Sequence, residues 1–245
     1  MKADPQSQRR LLELAELDTS LAQLAHRRRT LPEHAELERL DREIAKLEDE
    51  RVRAQVAVDD LDRDIARVER DVEQVRQRAE RDRARLDAGT GPVKELEALQ
   101  HELGTLARRQ RELEDAQLDL MEKREEAQSR LDDVLSRLAS ARDAHAQTEQ
   151  RRDALLADIV KDTEQKTAAR GPLVASLPAD LVALYEKVRE SSGIGAALLR
   201  HGRCGGCRLE LSGSEKARLR SAPADEVVQC EECRAILVRT EESGL

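Results

Sequence analysis

Residues 86–96 read LDAGTGPVKEL, and the fold turns on this short stretch. Gly89, Gly91 and Pro92 stand almost side by side there. Such a cluster ends a helix and favours a tight loop. What flanks the loop decides what it joins.

On the N-terminal side, alternating steps of three and four from Leu37 meet Leu40, Ile44, Leu47, Arg51, Ala54, Val58, Leu61, Ile65, Val68, Val72, Val75, Ala79, Asp82 and Leu86. All but Arg51 and Asp82 are apolar, in a chain only 39% hydrophobic. A period of 3.5 with charged residues between is a coiled-coil seam. Beyond the loop a second seam runs Leu96, Leu99, Leu103, Leu106, Gln110, Leu113, Gln117, Leu120, Arg124, Ala127, Leu131, Val134, Leu138, Ala141. Two long helices joined by a short loop fold back on one another, so the pattern predicts an antiparallel hairpin.

The register follows from where the loop is centred. A centre near Gly89 makes facing residue numbers sum to 178, pairing Val72 with Leu106, Ile65 with Leu113 and Val58 with Leu120. It also sets Arg51 and Arg124 against Ala127 and Ala54, small partners that a long cationic side chain can cover. The other register allowed by the heptads sums to 185 and sets the arginines against Val134 and Leu61. The expected sum is therefore 178.

A third seam, Leu14, Leu17, Leu21, Leu24, Arg28 and Leu31, is out of step by two residues with the seam that starts at Leu37, with Pro32 among them. This predicts a helix break near residues 30–33, with Pro32 in the first turn of the next helix. The tail of the returning arm (His145, Thr148, Arg152, Leu155, Ile159) is expected against this N-terminal helix, which brings the C-terminal segment back beside the N-terminus. Gly171-Pro172 and Pro178 mark a linker, and PADLVALYEKVRESSG reads as a short helix between Pro178 and Gly193. The expected organisation is a coiled-coil hairpin over 1–170 with its tip at 88–92, a linker and short helix over 171–193, and a zinc-ribbon domain over 194–245. The fold class is mainly α, with a small β-containing C-terminal domain.

That last domain is read from its cysteines. Cys204 and Cys207 form one C-x-x-C pair, Cys230 and Cys233 another, and β-prone pieces at 196–200, 226–229 and 236–239 bracket them with a helix at 214–221. Two residues between cysteines allow a turn that aims both sulfurs at one point. Two such turns complete a tetrahedral site of four thiolates, which suits one structural Zn²⁺. About 40 residues without an aromatic cannot bury enough apolar area to fold alone, and zinc supplies the difference. A thioredoxin-like redox pair needs a βαβ setting that is not present before Cys204. Four thiolates also leave no open position for catalysis. His201 stands three residues before Cys204 and reads as a surface histidine.

Composition agrees. The chain has 38% charged residues, one Tyr, and no Phe or Trp, the signature of long helices without one large globular core. There is no apolar leader or membrane-length apolar run, which points to a cytoplasmic chain with reduced thiols. No phosphate-binding loop or nucleophile motif occurs, and the five histidines are scattered, so no enzyme is expected.

The stretches PVKELEALQHEL, LEDAQLDLMEKREEA, CGGCRLEL and CEECRAIL resemble the bacterial family with an N-terminal coiled-coil hairpin and a C-terminal C4-type zinc ribbon. The resemblance implies a role in nucleic-acid binding, as in transcription-related regulation, or in protein interaction. That family usually carries Gly after the last cysteine of the second knuckle, where this chain has Arg234.

Two functions remain in view. The first is a non-enzymatic adaptor that docks protein partners through hairpin and ribbon, with Lys94, Glu95, Gln100, His101 and Glu102 beside the tip as a candidate surface. The second is nucleic-acid binding by Arg200, Arg203, Arg208, Lys216, Arg218 and Arg220. With Glu210 and Glu215 these six cations leave a local net charge of +4, in a chain whose formal charge is −8. Asp225, Glu226, Glu231 and Glu232 follow at once, and no aromatic is available to stack a base. The seams are compatible with a monomeric hairpin or a dimer.

Overall fold

The computed structural model describes residues 1–244. In chain order the elements are α1 (Pro5–Arg29), α2 (Pro32–Asp87), α3 (Val93–Ala175), α4 (Ala179–Ser192), β1 (Ala196–Arg200), β2 (Arg203–Cys204), α5 (Gly213–Ser221), β3 (Val228–Gln229), β4 (Ile236–Val238) and a 3-10 turn at Glu241–Ser243. They form two compact units. One comprises Ala35–Glu149, and the other joins Met1–His34 to the chain from Gln150 onward. The helix break at Pro32 and the tip between Asp87 and Val93 lie where the seams place them.

In the first unit α2 and α3 form the antiparallel hairpin. Leu47, Val134, Leu138 and Ala141 bury together with Ile44 packed beside them, and Val58, Ala127 and Leu131 do so with Ala54 and Leu61. These partners fit the 185 register, not 178. Three cross-arm polar contacts, Asp62–Arg124, Glu69–Gln117 and Asp41–His145, have numbers summing to 186, while the long Arg78 side chain beside the tip reaches Glu102 at a sum of 180.

The reason lies in where the seam arginines send their heads. Arg51 Nε donates to Glu48 at 2.9 Å, and Arg124 Nε reaches across to Asp62 at 3.0 Å. Both charges leave the seam for a carboxylate, so a bulky facing residue is tolerated. What the 185 register gains is small against large, as with Ala127 beside Val58. The contact between His145 and Asp41 of α2 also corrects its expected place against α1.

In the second unit α1 is capped by Asp4, whose carboxylate accepts from the backbone N–H groups of Gln6 (2.8 Å) and Ser7 (3.1 Å). Leu11 and Leu14 of α1 bury against Leu173, Leu177, Leu181 and Tyr185. This packing overturns the linker expected at 171, because α3 continues as helix through Gly171-Pro172 to Ala175. A proline in a helix interior costs about 3 kcal/mol. Burying Leu173 and Leu177, at about 1.5–3 kcal/mol each, outweighs that locally. A polar lock adds to it. Asp18, 6% exposed, accepts Arg170 Nε at 2.7 Å and the Tyr185 hydroxyl at 2.8 Å, and Glu186 closes the set by pairing with Arg170 and Arg189. Burial, with the Asp18 carboxylate beside it, pushes the Tyr185 hydroxyl above its ordinary range. The ring also sits so close to Gly195 that a Cβ there would lie 2.4 Å from it.

α4 stops at Gly193, in the left-handed conformation (φ 80°) that glycine permits. The sheet that follows has the order β2-β1-β4-β3, with β1 parallel to β4 and the other pairs antiparallel. The N-terminal residues join it, since Ala3 N–H donates to Asp225 O at 2.8 Å and Val227 N–H to Met1 O at 3.1 Å. The expected return of the C-terminal segment to the N-terminus is thus realised by backbone hydrogen bonds. Arg239, just past β4, donates to the carbonyls of Leu219, Ala222, Pro223 and Glu226 and so fixes the end of α5.

Candidate metal centre

The two C-x-x-C turns are built alike. In the first, Cys204 N–H donates to Leu209 O (3.0 Å) and Arg208 N–H to Cys204 O (2.8 Å). In the second, Cys230 N–H donates to Ala235 O (3.0 Å) and Arg234 N–H to Cys230 O (3.0 Å). Each turn closes on a residue with positive φ, Arg208 at 61° and Arg234 at 64°. The left-handed region favours glycine, so Arg234 occupies the conformation that the resemblance would fill with Gly. The turn geometry survives the arginine at the cost of local strain. Gly205 is required for a different reason: a Cβ there would stand 2.7 Å from the Leu198 carbonyl oxygen.

These turns bring all four sulfurs within 4.8 Å of one another. The Cys204–Cys233 Sγ pair is 3.7 Å apart and the Cys207–Cys230 pair 3.9 Å. Zinc–sulfur bonds of about 2.3 Å in a tetrahedron put sulfurs about 3.8 Å apart, so the cluster fits a single structural Zn²⁺. All four cysteines are free of disulfides, with Cys204 and Cys230 buried. In the metal-free chain burial pushes the Cys204 thiol up to about 12 and raises Cys230 as well. Burial also opposes the charged form at Cys207, yet the Leu209 N–H and the neighbouring thiols hold it below its ordinary value. A zinc ion would be held by the four thiolates, supplying the charge that lets buried sulfurs ionise. Among the described residues no other cluster of His, Cys, Asp or Glu has metal-holding geometry. His201 is exposed and lies outside the cluster.

Behind the sulfurs, Ala197, Leu199, Leu211, Leu219, Val228, Ala235 and Leu237 form the ribbon's small core. Glu215 ties that core to the second knuckle. Its Oε2 accepts Ser212 N–H at 2.9 Å in a capping box, and its Oε1 accepts Glu231 N–H at 3.2 Å. Despite burial, these backbone donors hold its carboxyl below the usual range. The sequence reading missed Glu215, although Ser212-Gly-Ser-Glu215 carries the capping-box spacing that could have found it. Arg239 carries no comparable signal.

The six cations proposed for nucleic acid are divided. Arg200 pairs with Glu242 (3.1 Å), Arg203 and Lys216 with Glu210 (3.9 and 2.8 Å), and Arg218 with Glu231 (3.4 Å). Arg208 and Arg220 have no carboxylate partner among the described residues. Of the surface expected near the tip, Glu102 is taken by Arg78. No helix among the described residues is long and apolar enough to cross a membrane.

Comparison with known proteins matches residues 14–193 to the CT398-like coiled coil hairpin domain and residues 203–237 to the C4-type zinc ribbon domain. An uncharacterized protein of Mycobacterium tuberculosis is 41% identical over 241 residues, 98% of either chain. One of Mycobacterium leprae is 32% identical over 223 residues, covering 91% of this chain and 96% of that one. A solved structure from Mycobacterium smegmatis superposes with a TM-score of 0.84 at 38% identity, covering 98% of this chain and 100% of that one. CT398 from Chlamydia trachomatis shares the fold, with a TM-score of 0.64 at 19% identity over 95% of this chain and 97% of that one.

Proposed function

The chain belongs to the CT398-like coiled coil hairpin family, and on that premise we propose that it is a non-enzymatic adaptor that docks protein partners through hairpin and ribbon. It works in the cytoplasm, where its thiols stay reduced. The observation that carries this reading is a mostly apolar groove of about 930 Å³ beside the thiolate centre. Leu12, Ala15, Thr19 and Ala22 of α1 line one side of it, and Ala197 and Gly206 belong to the other. A concave apolar surface next to a closed, four-thiolate site suits binding better than chemistry. On the hairpin, Val52, Val56, Leu118 and Met121 are each about half exposed, which gives a partner apolar footholds between charged residues.

Cross-linking of the full-length, zinc-loaded chain, with the captured proteins identified, tests the reading. Partners lost when Ala15 and Ala22 are both replaced by Arg are the expected result. Recovery of one and the same set by wild type, this variant and an unrelated coiled coil would sink it.

A second reading, DNA or RNA binding by the ribbon, draws on Arg208 and Arg220, the two patch cations without carboxylate partners. Four of the six patch cations already pair with carboxylates, Arg203 and Lys216 sharing Glu210, and the single aromatic, Tyr185, is buried. A salt titration of the zinc-loaded chain on oligonucleotides decides it, with weak binding and a shallow salt slope counting against it.

A further inference from the structure

A second concavity, of about 400 Å³, lies where the N-terminal turn of α1 meets the end of α5 and the strand end beyond β4. Arg9, Arg220 and Arg239 all line it, and none of its lining residues is acidic. None of the three arginines has a carboxylate partner among the described residues. Arg239 is half-buried, and its four bonds to carbonyls spend the donors on Nη1 and Nη2 and leave Nε–H. Gln8, almost fully buried, pins one wall by donating its amide to Ala3 O (2.8 Å) and Ala224 O (3.2 Å). Three guanidinium charges around one cavity without a counter-charge favour an anion; Arg9 and Arg220 keep the fork that suits a carboxylate or phosphate oxygen pair, and Arg239 adds its charge and its Nε–H.

We propose that this cavity is an anion seat that takes a side-chain carboxylate from an acidic segment of a protein partner. The inference rests on the adaptor reading and sharpens it. Two observations choose carboxylate over nucleic-acid phosphate. Leu219, Ala222, Ala224 and Pro5 also line the cavity and suit the apolar neighbours of an acidic residue. There is also no exposed aromatic nearby to hold a base, Tyr185 being buried. The position along α1 agrees. Pro5 and Gln8 lie at three- and four-residue steps from Leu12, Ala15, Thr19 and Ala22, so the seat and the apolar groove share one face of the helix. A partner segment lying along that face meets apolar contacts first and an arginine cluster at its end.

The test uses the full-length, zinc-loaded chain and a fluorescein-labelled peptide of alternating leucine and glutamate. Arg9 and Arg220 are exposed enough to be replaced without loss of fold, so the variants are Arg9→Gln, Arg220→Gln and the pair. Arg27→Gln, on α1 but outside the cavity, is the control. The double variant is expected to weaken binding at least about tenfold and the control less than about twofold. Unlabelled peptide should compete, whereas inorganic phosphate and a single-stranded oligonucleotide should not compete at equal charge.

Unchanged peptide affinity in the double variant overturns the proposal, as does no binding by wild type up to about 1 mM peptide. If the oligonucleotide displaces the peptide and loses affinity in the same variants, the seat is for phosphate and the proposal also fails. Failure here while partner capture still depends on Ala15 and Ala22 leaves the adaptor reading standing and removes only the seat.

Discussion

The hairpin unit and the ribbon unit are held together by opposite means. Between Ala35 and Glu149 stability is spread along a repeating seam, where each contact resembles the next and sits close in sequence to others of its kind. In the ribbon a few connections, each of a different kind, do the work: four sulfurs, the Glu215 bridge, the Arg239 clamp and the pairing of residues 1–3 with 225–227. Distributed contacts tolerate a local defect, whereas concentrated ones fail together. The two units should therefore respond differently to damage.

Zinc removal is the strongest test of that difference. Structural zinc contributes about 10–16 kcal/mol in small zinc domains, so chelation, or Cys230→Ser, should unfold the ribbon while the helical far-UV signal largely persists. Ribbon amide resonances would collapse and hairpin ones would not. Loss of both together would show that the units are not independent. Because protons compete with zinc for thiolates such as Cys204, held up to about 12 in the metal-free chain, apparent zinc affinity should rise with pH. An increase of at least about tenfold per pH unit is expected below neutrality, read by competition with a chelator.

Leu47→Ala comes next, costing about 2–3 kcal/mol because Leu47 is buried in the seam cluster. A lower urea midpoint of the helical signal, with zinc affinity unchanged, would confirm that the damage stays local.

Glu215→Gln should cost about 1–2 kcal/mol in the ribbon alone, since an amide replaces a carboxylate accepting two backbone N–H groups. The folded carboxyl is held below its ordinary range, so its contribution is complete above about pH 4.3 and fades as pH falls through the lowered value. The variant's deficit in zinc-loaded protein should accordingly be the same at pH 8 and pH 6.

Smallest, and opposite in sign, is Arg234→Gly, which relieves a residue at φ 64° and should stabilise the second knuckle by about 0.5–1 kcal/mol. A rise in ribbon melting temperature checks it.

The same contrast explains what could be read in advance. Leu37 to Leu86 and Leu96 to Ala141 announce a hairpin because periodicity is local, and the C-x-x-C pairs announce a metal site because spacing is local. Arg51 weighed against its facing residue alone points to the wrong register, because Glu48, one turn away, takes its charge. Pro172 reads as a break because its cost is visible in sequence, while the burial of Leu173 and Leu177 against Leu11 and Leu14 depends on residues some 160 positions away. Arg239 had no local signal, since its partners are carbonyls that any residue supplies.

The facing sum of 185 carries a rule about length. Seven residues inserted ahead of Asp87 alone would slide one whole arm past the other, carrying Leu47 away from Leu138 and Val58 from Ala127. The same insertion matched by seven residues after Val93 would leave every existing pair in place. Chains of this design can therefore grow or shrink only by matched heptads on both sides of the tip, so hairpin length can drift in steps during evolution while the cysteine-bearing unit stays unaltered.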